Sequence, residues 1–307
     1  MRPFLIFPSA RLSYVPVHEP ISLLDLRCLQ HFVNDFRRFL IITGAGVSTE
    51  SGIPDYRSKD VGRFERLKTK PMTHQDFIKS SENRQRYWAR NFVGWSRFSG
   101  IRPNVSHRAL AEWERRGRVE CLVTQNVDGL HQAAGSQNVL ELHGSMYRVV
   151  CLDCEDSTSR NHLQERMLQD NPQWTAEMLA ELAPDADAEL THDEIASFKT
   201  PACERCGGIL KPDVVFFGAN VPRERADQIS KHLSKSDALF VFGSSLQTYS
   251  AFRYVIQAVE MGKPIAIVSI GPTRGDEHAD VKIDGRCGDA LGRLDVGWDM
   301  LFREKVS

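Results

Sequence analysis

Four cysteines fall in two C-x-x-C pairs, Cys151 with Cys154 and Cys203 with Cys206. Two such knuckles offer four thiolates to one tetrahedral ion, the pattern of a structural zinc site. Four sulfurs leave no open position for a catalytic water, so the metal is expected to staple a small module whose folding depends on it. Eight residues before the first knuckle stands His143, in Glu141-Leu142-His143-Gly144-Ser145. Imidazole titrates near neutrality, as a general base requires. A lone histidine is more often structural, but this one sits between the apolar pair Val139-Leu140 and a Gly-Ser step. His74, His107 and His131 lack that setting and are expected to have structural or surface roles.

A second cluster begins at Gly44-Ala45-Gly46-Val47-Ser48. Small residues there let the backbone approach a pyrophosphate, and the amides that follow can point at it. Thr49 holds the place of a third glycine, and no acidic residue ends a second strand about 20 residues on, where a dehydrogenase would hold ribose. A lone G-x-G is scarcely better evidence than a plain tight turn. Asn126 and Asp128, in Gln125-Asn126-Val127-Asp128, read either as caps of a following helix or as polar groups at a site. Gly243-Ser244-Ser245 reads the same two ways. Asp55-Tyr56-Arg57 alone reads as a solvated turn.

The elements that must carry these groups follow one plan. Apolar, β-prone runs at 39–43, 121–124, 238–242 and 265–268 each end at a polar or glycine-rich segment. Helical patterns at 21–38, 106–117, 223–235 and 250–262 separate them. Strands alternating with helices predict an α/β protein, a Rossmann-like, doubly wound parallel sheet covered on both faces. Ligands of such sheets sit at the carboxyl ends of the strands, where all of these polar motifs fall. Residues 47–105 lack strand rhythm; a loop and a small helical insertion are expected there, over about 61–103. The zinc module is expected over 144–214, with a helix and long loop in the acidic, Ala-rich stretch Glu177 to Glu194. The nucleotide-binding part then comprises about 25–60, 104–143 and 215–307, after a tail at 1–24.

The 307 residues carry 39 basic and 40 acidic side chains and no polybasic run, which argues against a nucleic-acid or membrane partner. Seven cysteines, an odd number, fit a reducing compartment better than a disulfide framework. Residues 1–18 hold Arg2 and Arg11 and no acid, like a weak mitochondrial presequence or a frayed tail. A mitochondrial matrix location is the expectation; the oligomeric state stays open, a monomer being one option.

Taken in order, Gly44 to Ser58, Thr124 to His131, Glu141 to Gly144, the two knuckles, Lys211 to Gly218 and Gly243 to Leu246 resemble the motifs of the sirtuin family, most of all its class II branch. The resemblance runs from about residue 25 to 295. It implies an NAD-consuming protein-lysine deacylase that releases nicotinamide and passes the acyl group to ADP-ribose, with ADP-ribosyltransferase and lipoamidase activity as further possibilities of that branch. It implies His143 as the base that activates a ribose hydroxyl, and Asn126 as orienting ribose or a water. Asp128 and the Ile53 backbone would hold the nicotinamide carboxamide, Tyr56 would cover the ribose, and Arg57 would meet the pyrophosphate. Gly44, Ala45, Gly46, Ser48, Asp55, Gln125, Gly243, Ser244 and Ser245 would complete the cofactor site, with Ser269, Ile270, Gly271 and Cys287 at its adenosine end. Val215, Phe216, Phe217 and Gly218 would pair with a substrate peptide as an added strand.

Two departures from the family pattern stand out. Ala219 replaces a common Glu, and Tyr87, Arg90 and Asn91 differ in spacing from the Tyr and Arg, two residues apart, of the branch selective for short dicarboxylic acyl chains; Tyr56 for a common Phe is a lesser departure. Near Tyr87, Arg90 or Asn91 is expected to select a polar or branched acyl chain, and the insertion at 177–200 to fold back over the acyl channel. Two other readings remain open: a zinc-stapled NAD dehydrogenase, and a non-enzymatic NAD-sensing interaction module.

Overall fold

The computed structural model describes residues 14–66, 71–174, 184, 186, 190 and 195–297. The helix expected within 177–194 and most of the presequence-like tail lie outside them. Six parallel strands form the main sheet, in the order β3 (Val139–Glu141), β2 (Val119–Thr124), β1 (Phe39–Thr43), β7 (Ala238–Phe242), β8 (Ile265–Val268) and β9 (Val281–Ile283). All four predicted runs are strands. The edge strands β3 and β9 escape the pattern because three residues are too few to carry a period.

The sequence of β1, Phe-Leu-Ile-Ile-Thr, is buried at every position, as a strand covered on both faces must be. Alternation divides its side chains. Phe39 and Ile41 pack with Phe240, Trp113 and Phe32 on one face, under helices Leu23–Asp35 and Val105–Arg115. Leu40 and Ile42 pack with Ile229, Leu233, Phe252 and Val255 on the other, under helices Arg223–Lys235 and Tyr249–Glu260. The chain runs outward from β1 in both directions. The crevice above its carboxyl end is therefore the topological switch point, where a ligand site belongs.

Beside this sheet lies a second, antiparallel one, β5 (Ser157–Ser159), β4 (Gly144–Cys151) and β6 (Leu210–Val214). Helices His74–Lys79, Ser81–Ser99 and Arg160–Asp170 pack on it. Their core is aromatic, with Phe77, Trp88, Phe92, Trp174, Phe198 and Phe216 together. Helix Ser81–Ser99 is buried at every position from Tyr87 to Trp95, which accounts for its density of aromatic residues. A smaller apolar cluster joins the two layers: Ile53, Trp95, Phe98, Val127 and Met146.

Candidate active site

A cleft of about 1290 Å³ opens at the carboxyl ends of β1, β2, β7 and β8. Its floor is two loops in van der Waals contact. Gly44 N–H donates to Phe242 O and Gly46 N–H to Gly243 O. A Cβ on Gly44 or Gly46 would lie 2.7–2.8 Å from the Gly243 carbonyl, and Gly243 itself has φ of +59°. Glycine is needed here by close approach as well as by conformation. The chain then enters a 3-10 helix, Ala45–Ser51, instead of the longer α-helix of a dehydrogenase loop.

Ser48 and Asp128 meet beneath this floor. The Ser48 hydroxyl donates to Asp128 Oδ2 at 2.7 Å and accepts from Asn126 Nδ2 at 3.1 Å. Asn126 Nδ2 also reaches Gly44 O. Asp128 Oδ1 accepts the Leu130 N–H, so the same carboxyl caps the short helix Leu130–Ala133 and faces the cleft loops. Burial raises its pKa, opposed by the hydrogen bonds from Leu130 and Ser48. His107 and His131 pack below, ring centroids 4.8 Å apart and tilted by 55°. His131 Nε2 bonds Thr43 Oγ1, and His107 Nδ1 bonds Asn104 in the capping box of its helix. Burial pushes His107 down to about 3 and His131 well below its usual value, so both rings are neutral struts.

His143 lies on the cleft wall between β3 and β4. Its Nδ1 is 3.0 Å from Gln125 O and its Nε2 is 2.9 Å from Ser250 Oγ. A carbonyl only accepts, so Nδ1 carries the proton and Nε2 the lone pair. Burial lowers the pKa to about 4, with the Gln125 carbonyl acting against it and Arg225 adding to it. The ring is thus a neutral base throughout the physiological range. Gln125 is itself fixed, its Nε2 donating to Ser244 Oγ at 2.8 Å.

The remaining sequence-expected groups divide. Gly44, Ala45, Gly46, Ser48, Ile53, Asp55, Tyr56, Arg57, Gln125, Asn126, Asp128, Gly243, Ser244, Ser245, Ser269, Ile270, Gly271 and Cys287 all line the same cleft as His143. Asp55 turns inward on its own loop, accepting from Arg57 N, Ser58 N and Ser58 Oγ. The Cys287 thiol, pushed up to about 12 by burial, points at Val268 O. Val215 to Gly218 also line the cleft, Val215 N–H donating to His143 O at 2.8 Å. Phe217 O already accepts the His74 N–H, so an added peptide strand must use the other backbone groups of this segment.

Arg90 and Asn91 are brought elsewhere. Both are buried, and neither lines the cleft. Asn91 Oδ1 accepts two bonds from the buried guanidinium of Arg160, at 3.0 and 2.8 Å, which fixes it inside the small lobe. It is Tyr87, one turn earlier on the same helix, that reaches the wall, with Met72, Val127, Met146 and Pro184. Pro184 belongs to the insertion, and Ala186 beside it is buried over Gly94, where no side chain would fit. Sequence reading missed Ser250, which looks like any helix-start hydroxyl, and Pro16 and Val17, tail residues that nonetheless line the cleft.

The four knuckle sulfurs lie within 4.8 Å of one another, with Cys151 to Cys206 at 3.5 Å and Cys154 to Cys203 at 3.8 Å. None of the seven cysteines is in a disulfide. Such spacing suits four thiolates around one zinc.

A parallel sheet with a polar crevice at its switch point, and a four-cysteine lobe set against that crevice, define a nucleotide-dependent enzyme with a structural metal module. The Sir2 family model matches residues 44–250. The bovine NAD-dependent protein lipoamidase sirtuin-4, mitochondrial, is 52% identical over 92% of this chain and 89% of its own length. The Drosophila melanogaster NAD-dependent protein deacylase Sirt4 is 49% identical over 93% and 91%. A solved structure described as a Sir2 enzyme with a p53 peptide and NAD+ is 25% identical, with a TM-score of 0.67 over 92% of this chain and 99% of that one. The chain belongs to the Sir2, or sirtuin, family.

Proposed function

We propose that this protein removes acyl groups from lysine side chains of other proteins while consuming NAD, releasing nicotinamide and transferring the acyl group to ADP-ribose. The observation that carries this reading is the placing of His143: a neutral imidazole with a fixed tautomer, on the wall shared by the nucleotide loops and the Val215–Gly218 segment. NAD supplies the activated sugar carbon. The protein's own groups do the rest. His143 Nε2 takes the proton from a ribose hydroxyl, which is a poor nucleophile until deprotonated. Asn126 orients that sugar or a water. Asp128 and the Ile53 backbone meet the nicotinamide amide, Ser244 and Ser245 the phosphates, and Ser269 to Gly271 the adenosine. Tyr56, on the cleft wall with its ring 5.9 Å from that of Phe217, covers the ribose.

The acyl end is apolar. Met72, Tyr87, Val127, Met146 and Pro184 offer no charge to an acidic acyl group, which favours an extended apolar chain. The lipoamidase name of the bovine and human relatives agrees with such a chain. The same relatives are mitochondrial, and we place this protein in the mitochondrion, in the matrix. Purified protein incubated with NAD and a panel of lipoyl-, acetyl- and succinyl-lysine peptides tests the reading by mass spectrometry. Free nicotinamide and deacylation, fastest for lipoyl-lysine, support it. Reduced nicotinamide absorbance would mean a dehydrogenase, and NAD binding without turnover a sensor.

A further inference from the structure

Two hydrogen bonds, one on each nitrogen, hold the His143 ring, and only one of them comes from the motif that precedes it. Gln125 O takes the Nδ1 proton; Ser250 Oγ lies 2.9 Å from Nε2. With Nδ1 protonated, Nε2 has only a lone pair to offer, so Ser250 must be the donor. Ser250 is the second residue of helix Tyr249–Glu260. The residue capping that helix, Thr248, makes no cap bond to it; its hydroxyl donates to Gln125 Oε1 at 3.3 Å. The start of one helix thus meets the base and its anchor together, through Ser250 on His143 and Thr248 on Gln125, closing a circuit around the imidazole. Ser250 itself lines the cleft.

We propose that Ser250 is a positioning residue for the general base: its hydroxyl fixes the ring plane from the Nε2 side and occupies the lone pair until a sugar hydroxyl replaces it. The nitrogen that accepts the sugar proton is the one Ser250 holds. A serine hydroxyl both donates and accepts, so after the proton passes to Nε2 it can turn and accept from the new N–H. Without it, the imidazole is anchored at one atom and can rotate away from the sugar.

This inference rests on the base role given to His143, and its test separates the two. Ser250→Ala and Ser250→Thr are compared with His143→Ala for kcat and for KM toward NAD and peptide. Nitrogen-15 NMR of the imidazole, in protein without NAD or peptide, reports the hydrogen bond with no turnover. Ala is a strong helix former at an early helical position, so the fold should persist, which a thermal melt verifies; Ser250→Cys, a weak donor, serves if it does not. Loss of one positioning bond should lower kcat about tenfold with KM within about twofold. Thr should restore most of the rate, and Nε2 should shift downfield in the Ala variant and return in Thr. A wild-type kcat, or a reduced kcat with Nε2 unmoved, overturns the proposal. An active His143→Ala would sink the base assignment, while the NMR result would still judge the bond to Ser250.

Discussion

The main sheet and the zinc-bearing lobe both enclose apolar cores, but they are closed by different means. In the main sheet β1 and β7 are buried at every residue, and helices cover both faces. Parallel strands of continuous apolar sequence need no other fastening. The small lobe has three strands, one of them, Ser157–Ser159, largely exposed. It compensates with large side chains, with the buried Arg160 held between Asn91 and the Trp95 ring 4.5 Å away, and with the four-cysteine cluster. Small cores fall short of the ordering entropy, and a metal supplies what burial cannot. The nucleotide loops grow from the first kind of scaffold, while the acyl wall grows from the second.

The sharpest way to break this contrast is to remove the zinc. Chelation, or Cys203→Ser, should abolish deacylation and unfold the small lobe. The main sheet should persist as a separate, later transition by calorimetry. A single unchanged transition would mean that the two lobes share one cooperative core.

His143→Ala should act in the opposite sense, lowering kcat by about 10²–10⁴-fold while leaving both transitions in place, as read by calorimetry and single-turnover assays.

Acid should act on the sheet side. His107 is neutral when folded, with a pKa near 3 against about 6.5 unfolded. Below about pH 6.5 the unfolded state binds the extra proton, so stability is complete above that pH and falls as pH drops towards 3. Near pH 5 the loss from His107 is about 2 kcal/mol, which His107→Gln should reduce in denaturant titrations. The His143 base, neutral down to about 4, should keep initial rates high through the usual imidazole range before they fall.

The smallest effect is expected at the acyl wall. Pro184→Gly strips a ring from the cleft wall while leaving the core residue Phe198 in place, and should change the ratio of lipoyl to acetyl turnover severalfold, with kcat for acetyl-lysine little altered. An unchanged ratio would remove the insertion from substrate selection.

What could be read from sequence follows the same division. The four inner strands were legible because burial on both faces forces unbroken runs such as Ala238 to Phe242. The zinc ligands were legible because tetrahedral coordination fixes their spacing. Asp128 has the place that its capping reading asks for, one oxygen accepting the Leu130 N–H, while the other takes Ser48. The acyl contacts were not legible. The polarity of Arg90 and Asn91 suggests a site, yet on a helix buried nearly all round polarity marks an internal bond, here Asn91 with Arg160, and Tyr87 alone of the three meets the cleft. Ser250 was invisible because its partner is 107 residues away.

β4 begins at Gly144, directly after the base, and ends at Cys151, the first zinc ligand. Eight residues therefore act as a ruler between the reacting imidazole and the metal, held in place by pairing Val150 with Lys211 and Cys151 with Leu210. Inserting or deleting one residue along it would turn every later side chain to the opposite face and carry the cysteine away from its three partners. Length variation among related chains should therefore spare 144–151.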